Sequence, residues 1–223
     1  MTAEIQLFRL EPGLRFEHEG ALASTLRAWN ESALDLPAGA THYVYAHRGG
    51  ATLECSQGRF VLEQGMYAAA VGAARVEGPG SGMVVSRNGH LAMFLLGGPI
   101  EVEGRLRYID GCTDSLLLPP TRLGDPCLNH LHIPAGTRQS RHTHPSVRIG
   151  MVTRGRGRCV TPGGEQPLEP GVGFSIPPDG LHCFHTDAEA LDVVVYHPDS
   201  DTGPSDEDHP MLNRTILETR QRT

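Results

Sequence analysis

The chain has 223 residues, long enough to bury a full core as one large domain or two small ones. Its formal net charge of −7 argues against a general nucleic-acid binder, and 27 Gly and 17 Pro favour many short strands over long helices. No apolar run approaches the ~20 residues of a membrane span, and "MTAEIQLFRL" lacks a signal-peptide pattern, so a cytoplasmic protein without membrane partners is expected.

In chain order, the most helix-like stretch comes first. "EGALASTLRAWNES" carries Leu22, Leu26 and Trp29 at three- and four-residue spacing and predicts a short N-terminal helix. From Pro37 the texture turns β-rich: "HYVYAHRGGATLECSQGRFVLEQGMYAAAVGAARVEG" reads as strands broken by turns. "GMVVSRNGHLAMFLLGG" follows as two strands around Asn88-Gly89. Residues 99–126 read as a mixed connector. A second β-rich block starts with "LNHLHIPAG", runs through "HTHPSVRIGMVTRGRGRCVTPGGEQPLEPGVGFSIPPDGLHCFHT", and ends in "ALDVVVYHPDS". The tail from Asp199 is acidic and Pro-rich before a short apolar run, and is expected to wrap the protein or a partner subunit.

The two blocks share an order: glycine turn, short strand, turn, Leu-x-x-Gly, strand, small turn. "HRGGATLECSQGRFVLEQGMYAAAVG" aligns in this way with "TRGRGRCVTPGGEQPLEPGVGFSIPPDG", which reads as an internal duplication.

The chain contains no lysine, which excludes lysine Schiff-base chemistry and a P-loop. Five cysteines without CxxC spacing read as reduced thiols. Histidine, carboxylate, arginine or a metal must therefore carry any chemistry. His142 and His144 lie two apart and so face one side of a strand, and His182 enters from a later strand. Three neutral imidazoles from two strands make an open-faced metal site. His130 and His132 alternate in the same way, with packing and supporting roles equally open. His185 differs from His182 in parity and is expected to face outward; His197 and His209 are not expected to be ligands.

These residues resemble the cupin superfamily. Its first motif, G-x5-H-x-H-x3/4-E-x6-G, is matched by Gly136, His142, His144, Arg148 and Gly155, and its second, G-x5-P-x-G-x2-H-x3-N, by Gly171, Pro177, Asp179, His182 and Thr186. Arginine, aspartate and threonine replace the motifs' Glu, Gly and Asn. The resemblance implies an all-β fold, a cupin-type antiparallel β-barrel (jelly roll), with the histidines pointing inward. With the duplication it implies two tandem barrels: residues 1–125 as a degenerate N-terminal copy without ligands, and residues 126–223 as the metal-binding copy with the tail. Neither His42 nor His47 forms an HxH, so the first copy is expected to serve as scaffold or as the face of a homodimer.

By strand parity Arg148 should point inward beside the metal, where a guanidinium cannot be a ligand. A +2 ion and a guanidinium ~6 Å apart at an effective dielectric of ~20 repel by ~5 kcal/mol, so an anion is required beside them. A substrate carboxylate or enolate would serve, as would Asp179 or Glu165 with the arginine turned away. Arg138, Arg141, Arg154, Arg156 and Arg158 crowd the same region, either as solvated side chains or as a positive rim that steers anions.

The site resembles the three-histidine iron cupins, thiol dioxygenases and diketone-cleaving dioxygenases. The expected cofactor is one divalent transition metal per chain, Fe(II) first, with Mn, Ni, Co and Zn as alternatives. The expected partners are a small anionic molecule and O₂, with Arg148 as the catalytic anion holder. The alternatives are a cupin isomerase, lyase or decarboxylase using the metal as a Lewis acid, and a non-catalytic small-molecule-binding cupin.

Overall fold

The computed structural model describes residues 5–212 and Thr215, and its regular structure there is twenty β-strands and one 3-10 turn, Ile109–Gly111. The first eleven strands are β1 (Gln6–Arg9), β2 (Arg15–His18), β3 (Ser24–Asn30), β4 (Ala33–Leu36), β5 (Ala40–Arg48), β6 (Ala51–Cys55), β7 (Gly58–Leu62), β8 (Tyr67–Val71), β9 (Ala74–Glu77), β10 (Ser81–Asn88) and β11 (Leu95–Gly97). The remainder are β12 (Leu106–Arg107), β13 (Thr113–Leu118), β14 (Cys127–Ile133), β15 (Arg148–Gly155), β16 (Gly157–Thr161), β17 (Gly164–Leu168), β18 (Val172–Ile176), β19 (Cys183–His185) and β20 (Leu191–His197). The fold is all-β and antiparallel, as expected.

Two large sheets repeat one strand order. The six-stranded sheet runs β11-β8-β5-β10-β3-β2 and the seven-stranded sheet β1-β18-β15-β20-β14-β13-β12. Each faces a smaller sheet, β4-β9-β6-β7 in the first case and β17-β16-β19 in the second. The edge strands differ in origin: β1, at the start of the chain, crosses to pair with β18 (Gln6↔Ser175), while β11 caps β8 within the first sheet (Leu95↔Ala69). Strands β1, β12 and β13 therefore join the seven-stranded sheet although they precede residue 125. The presumed connector contains β12, the 3-10 turn and β13, because β13 finds its partner in β14 across the Pro119–Pro126 loop.

Three apolar clusters hold these layers together. Leu26, Tyr43, Met83, Leu128, Ile149, Met151 and Tyr196 pack where the two large sheets stack. Trp29, Val44, Leu53 and Val84 fill the first sheet pair; Val152, Phe174, Phe184, Val193 and Val195 fill the second. The run "LDVVVYH" of β20 is apolar on both faces because Val193 and Val195 point into the second pair while Val194 and Tyr196 point to the shared core.

The same principle corrects the expected N-terminal helix. Residues 24–30 are strand β3, between β2 and β10. Leu26 belongs to the shared core and Trp29 to the first pair's core, so their spacing serves two opposite faces rather than one helical stripe. Glycine permits the closest contact here: a Cβ on Gly82 would lie 2.3 Å from the Trp29 ring and 2.1 Å from the Tyr45 carbonyl oxygen.

The tail begins by packing on the 122–124 loop, with Gly124 N donating to Ser200 O (3.1 Å), Leu123 N to Pro204 O (2.9 Å), and Arg122 pairing with Asp206 (3.1 Å). The apolar run beyond, at Ile216 and Leu217, lies outside the described residues. No helix among the described residues is long and apolar enough to cross a membrane.

Candidate metal centre

His142 and His144 lie just before β15, and His182 just before β19. An isolated bridge joins the two segments: His142 N donates to His182 O (2.9 Å) and His182 N to His142 O (3.0 Å). The His144 carbonyl accepts from Asp179 N at 2.7 Å. Asp179 stands where the motif has glycine and adopts φ 56°, a left-handed conformation that Asp tolerates better than most residues. Thr186, in place of the motif's Asn, ties the two segments' outer ends: its hydroxyl donates to Pro134 O and accepts from Thr137 N.

One donor atom from each of His142, His144 and His182 lies within 4.8 Å of the other two, making a group able to hold a metal ion. The Nδ1 atoms of His142 and His182 each face a backbone carbonyl at 2.8 Å, of Ser140 and Gly180. That arrangement requires Nδ1–H and leaves the Nε2 lone pair free for a ligand bond. Burial lowers His182 to about 4 against the opposing Gly180 carbonyl, and burial followed by the Arg148 charge lowers His144 to about 3. Both rings are neutral at neutral pH, as metal ligation requires. The residues fit a divalent transition metal.

The three rings open on a cavity of about 240 Å³. Leu131, Phe174, Ile176, Phe184 and Val195 are part of its apolar wall, and Arg107, Arg148, Asp114, Asn129, Tyr108 and His197 are its polar groups besides the three histidines. A larger and more open groove, about 440 Å³, passes His47 between the sheet pairs, but no cluster of potential metal ligands among the described residues converges there. His42 is occupied structurally: Nδ1 meets Ser86 Oγ (2.7 Å), and Nε2 the carbonyls of Gly72 (2.9 Å) and Pro37 (3.0 Å).

Arg148 opens β15 and lines the cavity almost fully buried, at 4% exposure. Its Nη1 bonds the Ser146 hydroxyl and the Ser146 carbonyl (3.2 Å) and lies 3.9 Å from Asp199 Oδ1. Ser146 Oγ in turn donates to Asp199. The anticipated acidic neighbour was Asp179 or Glu165. Glu165 instead pairs with Arg158 at 2.9 Å, and the acid beside Arg148 is Asp199, brought in by the start of the tail. The guanidinium is only partly answered, since its Nε is buried without a hydrogen-bond partner.

Sequence reasoning missed three cavity groups. Asp114 on β13 accepts from Asn129 Nδ2 on β14 at 2.9 Å. Burial raises its carboxyl to about 6, against the opposing Asn129 hydrogen bond and His130. His197, discounted as a ligand, stands outside the three-histidine group but lines the cavity, its ring 6.4 Å from that of His144. Parity with Val195 along β20 is the one sequence signal that pointed there.

His130 and His132 are directed elsewhere. Both meet Asp192 Oδ1, at 2.7 and 3.0 Å, and Arg154 joins the same oxygen at 3.2 Å. His185 faces Cys183 Sγ at 3.4 Å, away from the cavity. Four of the five clustered arginines pair with carboxylates: Arg138 and Arg158 with Asp187, Arg156 with Glu169, Arg154 with Asp192.

The cupin domain family matches residues 129–198, which take in both motifs. Residues 129–198 are thus a cupin domain. Solved structures carry the likeness across both sheet pairs of this cupin. A cupin 2 conserved barrel domain protein from Leptotrichia buccalis superposes with a TM-score of 0.61 at 13% identity, covering 88% of this chain and 89% of that one. Protein Ylba from E. coli gives 0.62 at 13%, covering 90% and 93%. A salicylate 1,2-dioxygenase from Pseudaminobacter salicylatoxidans gives 0.59 at 11%, covering 78% and 70%. At such identities the likeness shows the fold. No curated protein matches the sequence of this cupin.

Proposed function

We propose that this cupin is a metal-dependent enzyme, a three-histidine Fe(II) dioxygenase acting on a small anionic organic molecule. The observation that carries the reading is the convergence of His142, His144 and His182 on a cavity whose wall also holds Arg148. A metal bound there would supply Lewis-acid and redox chemistry. Arg148 offers a buried guanidinium with an unpartnered Nε, suited to a carboxylate or enolate. The apolar wall from Phe174 to Phe184 would receive the body of the substrate and exclude water from it. The dioxygenase neighbour is consistent with such chemistry on this fold. The repeated strand order supports tandem cupin units, the first without ligands.

A second reading, a Lewis-acid isomerase, lyase or decarboxylase, draws support from Asp114, a carboxyl on the cavity wall suited to moving protons without O₂. Oxygen uptake by Fe(II)-loaded protein against a panel of small carboxylic acids and diketones separates the two. Substrate-dependent uptake that disappears in Arg148→Ala is the expected result; substrate turnover without oxygen uptake would favour the second reading.

A further inference from the structure

Asp114 is the one carboxyl among the described residues that lines the cavity. Among the described residues the buried acid Asp192 is answered by charge or imidazole, meeting His130, His132 and Arg154. Asp114 has the Asn129 amide and no ion pair. A mostly buried carboxyl without a cation is costly to keep for structure alone, and in a cavity beside a metal-binding group it marks a working residue.

The proton inventory of the cavity leads to the same residue. When a ligand with an O–H or N–H bond binds through that atom, its proton must go to a cavity group. His142 and His182 would spend their Nε2 lone pairs on the metal and His144 that of one ring nitrogen, and Arg148 has none to give. At His197 burial, and after it the charge of Arg148, opposes a positive charge on the ring. Asp114 remains, steadied by Asn129.

We propose that Asp114, held by Asn129, is the proton acceptor of this cavity, and that its ligand class is weak O–H or N–H acids: enols, phenols or hydroxamic acids. The inference rests on the metal-centre reading above and holds for either reaction class. In the step, the ligand's O–H bond breaks, its electron pair stays on the ligand oxygen, and a new O–H bond forms on the Asp114 carboxylate. No oxidant is involved. The groups that face Asp114 from the neighbouring strands are donors or are engaged elsewhere. From β12 and the adjoining turn these are Arg107 and the Tyr108 hydroxyl, raised by burial. From β14 they are Asn129, His130, which meets Asp192, and the Cys127 thiol, pushed up to about 12 by burial.

The test uses zinc-loaded full-length protein and acetohydroxamic acid as probe, with calorimetric titrations in buffers of different ionisation enthalpy, above neutral pH. Wild type should release almost no proton to the buffer on binding, whereas Asp114→Asn should release about one and bind about tenfold more weakly. Equal proton release by the two zinc-loaded proteins would overturn the proposal and leave the metal centre standing. Failure of wild type to take up zinc would overturn the metal-centre reading and the proposal together. If Asp114→Asn does not fold, Asn129→Leu replaces it. Losing the hydrogen bond that favours the carboxylate should move the onset of proton retention to higher pH, and an unmoved onset would overturn the proposal.

Discussion

His142 and His182 hold each other through their main chains: each amide donates to the other's carbonyl, at 2.9 and 3.0 Å, and the rings stand 4.5 Å apart. Main-chain hydrogen bonds thus join two segments forty positions apart in the sequence, a support for the ligand set that does not itself depend on a metal. The metal-free protein should therefore fold. Metal should raise Tm through binding to the folded state, by an amount that grows with the logarithm of its free concentration above Kd. Thermal melts with and without chelator check this; loss of the cooperative transition on chelation would show that the ion builds the site.

Arg148 is tied at one end to Ser146 and Asp199 and lacks a partner at Nε. Arg148→Ala should weaken binding of a small carboxylate such as benzoate by about 2–5 kcal/mol, the usual range for truncating a buried charge-assisted pair. Metal affinity should hold or rise, because a repulsive charge has gone. Arg148→Glu should tighten metal binding and abolish carboxylate binding. Calorimetry with metal and with benzoate reads both effects; weaker metal binding in Arg148→Glu would mean that this side chain does not face the ion.

Asp114 makes stability depend on pH in a defined direction. Its carboxyl is raised from 3.8 to about 6, so between those values the folded chain holds the proton more firmly than the unfolded one. Stability from this group is then lost as pH rises through that window, by up to about 3 kcal/mol. Asp114→Asn should remove the dependence and be the more stable protein above pH 6. Denaturant melts of both proteins at several pH values provide the comparison, and parallel curves would contradict the assignment.

Gly150, on β15, leaves no room for a side chain. An added Cβ would lie 2.6 Å from the Val194 carbonyl oxygen and 2.7 Å from the Phe174 ring. Gly150→Ala should cost roughly 1–3 kcal/mol and shift Phe174 in the cavity wall, lowering Tm and ligand affinity together. A variant with wild-type Tm would show that the sheet yields more easily than its packing implies.

The parts of the site carried by local spacing were legible in the sequence. His142, His144 and His182 stand at motif distances, and Arg148 is conspicuous where a carboxylate belongs. What depends on long-range pairing was not. Asp199 reaches Arg148 only because the chain turns back after β20, and Asp114 meets Asn129 only through the β13–β14 pairing. Leu26 and Trp29 imitated a helix because a strand buried on both faces has no alternation to display. The duplicated β-order was visible, but the crossing of β1 to the seven-stranded sheet was not, since an edge strand this short carries little pattern.

The measurement that bears most directly on the central claim is metal content by mass spectrometry, on protein purified without added metal and then reconstituted with Fe(II) under anaerobic conditions. His142, His144 and His182 acting together predict close to one ion per chain in wild type and almost none in His142→Ala/His182→Ala, with circular dichroism unchanged. Near-stoichiometric metal in that folded double variant would contradict the account.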